Sequence, residues 1–163
     1  MNKVFLILIC LLLSSTLFGQ TYSFKPKLSI SFTSSKGKAL LNCCSRKAPD
    51  SIKGYWTLTP EDIIKLEMNF KKIYSVQSSV CCSEGTKIEN LKSIAFQYIG
   101  IWQNSKKRIY INAFPESEAY LYKKQGLNVK NRPVTVCDGG ISFWGAVFDL
   151  DSLVFTFLAF NGN

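Results

Sequence analysis

The sequence predicts an α+β fold in which one long helix packs on an antiparallel sheet of four to six strands. Three observations carry that expectation. Residues 133–163 contain no lysine or arginine in a chain that has 20, and they read as two apolar strands, about 141–148 and 153–160, around the turn Asp149–Ser152. Residues 94–113 alternate as a hairpin. Between the first strand and that hairpin lies a single strong helical pattern, at about 60–75.

Taken in order, the chain opens with Lys3, the unbroken apolar run Val4–Leu13 and a small-residue exit at Ser14, Ser15, Thr16 and Gly19. This is the pattern of a secretory signal peptide over 1–19, with cleavage after Gly19. Ten apolar residues fall short of the roughly 20 that a membrane span needs. The expected organisation is therefore a leader followed by a single domain over 20–163, exported to the periplasm or secreted, with no transmembrane segment in the mature chain. Leu28, Ile30 and Phe32 alternate with Ser29, Ser31 and Thr33, which predicts a half-buried strand. Residues 36–55 read as loop, punctuated by Gly37, Pro49 and Gly54.

Thr59-Pro60-Glu61-Asp62 is a helix start. The Thr59 hydroxyl can accept a first-turn amide, Pro60 suits the first helical position, and two acids oppose the helix dipole. Ile63, Leu66, Phe70 and Ile73 follow at helical spacing as the core stripe. Glu61 with Lys65 and Glu67 with Lys71 are expected as four-apart ion pairs on the wet face. After a loop at 75–90, Ile94–Trp102 and Arg108–Ala113 form the hairpin around the turn 103–106. Residues 115–125 read as a short helix ended by Gly126, and Val134–Cys137 as a strand broken at Gly139-Gly140. The order of elements resembles a cystatin-like roll, a likeness that carries no function.

The net charge is +9. Residues 21–55 hold seven bases (Lys25, Lys27, Lys36, Lys38, Arg46, Lys47, Lys53) against Asp50 alone. That asymmetry suits an anionic partner such as a cell-wall polymer or an acidic protein. No helix-turn-helix, zinc-finger or RNP-like pattern accompanies it, so nucleic acid is not the expected partner. The mature chain has Cys43, Cys44, Cys81, Cys82 and Cys137. Two adjacent pairs in an exported chain suggest a disulfide from the first pair to the second, worth roughly 4 kcal/mol by loop-closure entropy. One bridge with unpaired thiols is the alternative. Metal is not expected, because neither CxxC spacing nor histidine is present.

The chain has no histidine. That removes Ser-His-Asp and Cys-His catalysis together with histidine general bases and ligands. An enzyme would have to use a carboxylate pair, a lysine or a lone thiol, so the reading leans away from catalysis; no cofactor is expected. Cys137-Asp138-Gly139-Gly140 is the one place where a nucleophile-type residue stands at a strand end beside a flexible turn. It is either a functional turn or a core cysteine followed by a tight bend. Asp149 and Asp151 lack the further oxygen ligands and the glycine of a calcium loop. Trp56, Trp102 and Trp144, with the chain's other aromatic residues, exceed what one helix can cover. If the sheet's second face is bare, they form a patch for a partner or a sugar, and homodimerisation would bury it equally well.

Gly54-Tyr55-Trp56-Thr57-Leu58-Thr59-Pro60-Glu61-Asp62-Ile63, Val136-Cys137-Asp138-Gly139-Gly140, Phe143-Trp144-Gly145 and Phe160-Asn161-Gly162 resemble a group of small exported bacterial proteins of uncharacterised function. The resemblance covers about 54–162. It implies an envelope or secreted setting and carries over no catalytic residue. The expected function is thus a binding domain, inhibitor-like in manner, that acts through a sheet face or loops. The alternatives are a thiol- or carboxylate-dependent enzyme centred on Cys137 and Asp138, and a structural envelope protein that uses its basic N-terminal third on anionic polymer.

Overall fold

The computed structural model describes residues 23–42, 45–80 and 83–162. The expected leader, residues 1–19, and the candidate disulfide residues Cys43, Cys44, Cys81 and Cys82 lie outside the described residues.

The elements are β1 (Ser29–Ser31), α1 (Gly37–Leu41), β2 (Ile52–Trp56), α2 (Pro60–Asn69), β3 (Ile94–Gln103), β4 (Lys106–Pro115), α3 (Glu116–Lys124), β5 (Trp144–Asp149) and β6 (Val154–Phe160). The sheet has six strands in the order β1-β3-β4-β5-β6, and β2 shares the outer edge of β3 with β1. β1 runs parallel to β3, while every other pair is antiparallel. This corrects the expected fold. The sheet is mixed rather than antiparallel, and among the described residues three short helices replace the single long one, so the likeness to a cystatin-like roll fails. The parallel pair arises because β1 and β2 divide the length of β3: β1 lies along Phe96–Tyr98 and β2 along Gly100–Gln103.

Helix α2 starts as the sequence dictates. The Thr59 hydroxyl accepts the Asp62 amide, and the Asp62 carboxylate accepts from the Thr59 backbone N–H, a closed capping box with Pro60 behind it. Beyond Asn69 the run tightens into 3-10 geometry through Ser75. Glu67 is not on the wet face; it is only 6% exposed. The N-terminal segment crosses the helix there, with the Phe24 N–H and the Ser23 hydroxyl both donating to the Glu67 carbonyl. Phe24 also packs its ring against Phe70 and Phe96.

The strand alternation sorts side chains into two cores, one on each face. Phe96, Tyr98, Ile109, Ile111, Trp144, Phe148 and Leu158 face Leu66, Phe70 and Ile73 of the helical segment. Ala95, Ile99, Ile101, Tyr110, Phe114 and Val147 face the other way, under Leu40 and Leu41 of α1, Val129 and Val134. Residues 36–55, read from the sequence as loop, thus supply both a covering helix and a strand. Residues 134–137 form no strand; they cross the second face as an irregular cover.

Candidate functional site

Of the sequence-predicted site residues that are described, each finds a definite place, and they do not come together. Cys137 and Asp138 lie exposed rather than in the core. Cys137 is disulfide-bonded, so it presents no free thiol. Asp138 takes a left-handed backbone (φ 58°) and donates its N–H to the Ser45 hydroxyl at 3.1 Å. Gly140 follows at φ 57°, and its N–H donates to the Gly162 carbonyl; the Gly162 N–H in turn donates to the Ser45 carbonyl. A Cβ at Gly139 would run into the Phe143 ring. The double glycine is therefore a fastening that ties residues 45, 138–140 and 162 together. Beside it, Ser45, Lys47, Ser79, Val80, Ser83 and the Phe160–Gly162 end line an open cleft of about 370 Å³. No acid lines it.

Asp149 is also structural. Its carboxylate accepts the N–H groups of Asp151 and Ser152 and pairs with Arg108 at 3.0 Å. Burial alone would raise its pKa. The Ser152 and Asp151 amides, the Ser152 hydroxyl and the Arg108 guanidinium outweigh that and hold it below the ordinary value of 3.8. The turn between β5 and β6 is thereby closed by a carboxylate, not built for calcium. Among the described residues no group of three His, Cys, Asp or Glu side chains could hold a metal.

A polar chain that the sequence reading missed runs through the second core. Arg46, 7% exposed, donates from Nη2 to Asn112 Oδ1 at 2.6 Å. Asn112 donates to Gln97 Oε1 and to the Val134 carbonyl, and Gln97 donates to the carbonyls of Val129 and Arg132. These bonds pin residues 129–134 over the sheet. The available signal was Gln97 and Asn112, two amides at inward positions of otherwise apolar strands. Arg46, one of the seven bases counted toward a polyanion surface, belongs to this interior.

The three tryptophans separate by environment. Trp144 is 2% exposed and lies in the first core. Trp56 and Trp102 share that face of the sheet but stand at its far end, beside the β3–β4 turn. The register makes a checkerboard there, with Gly54 opposite Trp102 and Trp56 opposite Gly100. Gly100 gives the Trp56 indole its seat, and the indole Nε1 donates to the Ile101 carbonyl at 3.2 Å. Trp102 remains 37% exposed. Lys107, its partner on β4, places its ammonium 4.8 Å from the Trp56 ring centre and 5.7 Å from that of Trp102. Both distances are within the range of cation–π attraction. The turn itself is two residues, Asn104 and Ser105, both at positive φ, which holds the strand ends in fixed register.

This corner combines two fixed indoles with an ammonium, a set suited to binding. The second face of the sheet is covered, so the broad aromatic patch allowed for in the sequence reading reduces to this corner. No helix among the described residues is long and apolar enough to cross a membrane. Searches against protein-family models, curated proteins and solved structures give no match to this chain.

Proposed function

We propose that this chain is a binding domain, not a catalyst, and that it meets its partner at the Trp56–Trp102–Lys107 corner. One observation carries the reading. Trp102 is left 37% exposed beside a lysine held by two rings, while every other large aromatic ring of the sheet is buried or half-buried. A large indole in contact with water is an unfavourable arrangement for a free monomer and a favourable anchor for a complex. The leader-like N-terminus and the resemblance to small exported proteins support a periplasmic or secreted setting for this activity. There a disulfide at Cys137 would also persist.

The test is an array of peptides, lipids and glycans probed with the parent, with Trp102→Ala and with Tyr120→Ala. Tyr120 is a control because it is 59% exposed on α3, away from the corner. The reading expects a parent signal that Trp102→Ala loses and Tyr120→Ala keeps. A signal that survives Trp102→Ala unchanged overturns it.

A further inference from the structure

Resting on that reading of the corner, we infer that its ligand is a carboxylated sugar: a uronate-type pyranose of an acidic polysaccharide. Three features of the corner select this chemistry.

The first is charge. Residues 51–57 and 100–108 hold Lys53, Lys106, Lys107 and Arg108 and no acid. Arg108 is already paired with Asp149. The three lysines occupy adjoining rows, since Lys106 pairs with Gln103, Lys107 with Trp102, and Lys53 falls at the bulge between Ile52 and Gly54. Two acids border the corner and each already has a cation: Asp50, whose carbonyl accepts from Gln103 Nε2, pairs with Lys47 at 3.5 Å, and Asp149 pairs with Arg108, so Lys53, Lys106 and Lys107 are the charges left to an arriving carboxylate.

The second is the apolar contribution. Trp102 offers a flat, rigid ring of the kind that stacks on the C–H face of a pyranose, and the neighbouring Trp56 is fixed by its seat on Gly100 and its bond to Ile101. A stacked sugar needs one such ring. A protein partner needs much more, about 800 Å² per side with an apolar centre. The other exposed large hydrophobic residues are dispersed: Tyr120 and Leu121 on α3, Ile141 ahead of β5, Val154 at the start of β6. They give the corner no apolar field around Trp102.

The third is the arrangement of the lysines. Successive residues of a strand point to opposite faces, so Lys106 and Lys107 flank the β4 end from both sides of the sheet. Of the two, Lys107 shares the Trp102 face, which suits a single carboxylate beside the stacked ring. The arrangement does not make the continuous basic groove that tracks a nucleic-acid backbone.

Isothermal titration of the full mature chain with four probes separates the possibilities. An oligogalacturonide supplies rings and carboxylates; its methyl ester keeps the rings and removes the charge. Poly-glutamate keeps the charge without rings, and a single-stranded oligodeoxynucleotide offers bases and phosphate. The expected result is binding of the oligogalacturonide, weakened about tenfold or more by methyl esterification, by Trp102→Ala and by Lys107→Met, and weakened by added salt. Circular dichroism establishes that each variant is folded, and the two variants fail independently.

Equal binding of the methyl ester overturns the carboxylate assignment. Equal binding of poly-glutamate or of the oligodeoxynucleotide overturns the sugar assignment; loss of that binding in Trp102→Ala would still leave the corner as the contact surface. Absence of oligogalacturonide binding by the parent overturns the ligand class, while the array result with Trp102→Ala decides the corner separately.

Discussion

The Trp56 seat can be removed with one methyl group. A Cβ at Gly100 would run into the Trp56 ring and stand 2.6 Å from the Trp56 carbonyl oxygen. The ring could swing aside, but the carbonyl belongs to the strand opposite, so β2 and β3 must part. Overpacking of this kind costs about 1–3 kcal/mol. Replacing glycine by alanine also restricts the unfolded chain, which returns about 0.4–1 kcal/mol. The expected net loss for Gly100→Ala is thus about 1–2 kcal/mol. Gly54→Ala is the internal control, because its Cβ would meet only Trp102 Cδ1 at 3.8 Å, an ordinary contact. That variant should be neutral or slightly more stable than the parent. Urea unfolding followed by far-UV circular dichroism measures both, and tryptophan emission should shift in the Gly100 variant as Trp56 loses its place. Equal stability of the two variants would refute the account of how the indole is held.

Asp149→Asn should cost about 2–4 kcal/mol: its amide oxygen can still accept from the Asp151 and Ser152 N–H groups, but an NH2 replaces Oδ2 against the nearly buried Arg108 guanidinium. With its folded pKa held below 3.8, the Asp149 contribution is complete above that value and is lost as the pH falls through the folded pKa. The urea midpoint of the parent, but not of the Asn variant, should carry that loss. Glu67 has the opposite sign. Burial raises its carboxyl above 4.5, with Lys25 opposing, so its contribution is greatest below 4.5 and is lost as the pH rises through the folded value. Glu67→Gln should therefore gain on the parent at neutral pH and not in acid; an equal effect at both would contradict it. Asn112→Ala, which leaves Arg46 and Gln97 without their shared partner, should cost about 3 kcal/mol by the same urea titration.

Local chemistry was legible in the sequence, and long-range pairing was not. The capping box at Thr59–Asp62, the β3–β4 hairpin, the C-terminal hairpin and the short helix ended by Gly126 each depend on residues within a few positions of one another. The parallel β1–β3 pair depends on residues sixty-seven apart, Ser29 with Phe96, and no local pattern announces it. Residues 36–55 read as loop because Gly37 and Gly54 look like punctuation. In the fold these glycines instead admit neighbouring rings: Gly37 lies against Tyr55 and Gly54 beside Trp102. Glu67 fitted the polar face of an isolated helix and was buried by the N-terminal segment laid across it. For the site, the sequence pointed to Trp56 and Trp102 but grouped them with Trp144, which only the strand register separates. Lys107 gave no signal at all, since a lysine in a hairpin reads as a solvated end until its partner across the ladder is known.

The central claim is that this chain works by contact at the β3–β4 corner, and amide chemical-shift mapping of the labelled protein with oligogalacturonide tests it most directly. The account predicts shifts concentrated in residues 53–56 and 100–108, with the Trp102 and Trp56 indole N–H signals among the largest. Shifts centred instead on the double-glycine end, at 138–142 and 160–162, would contradict it.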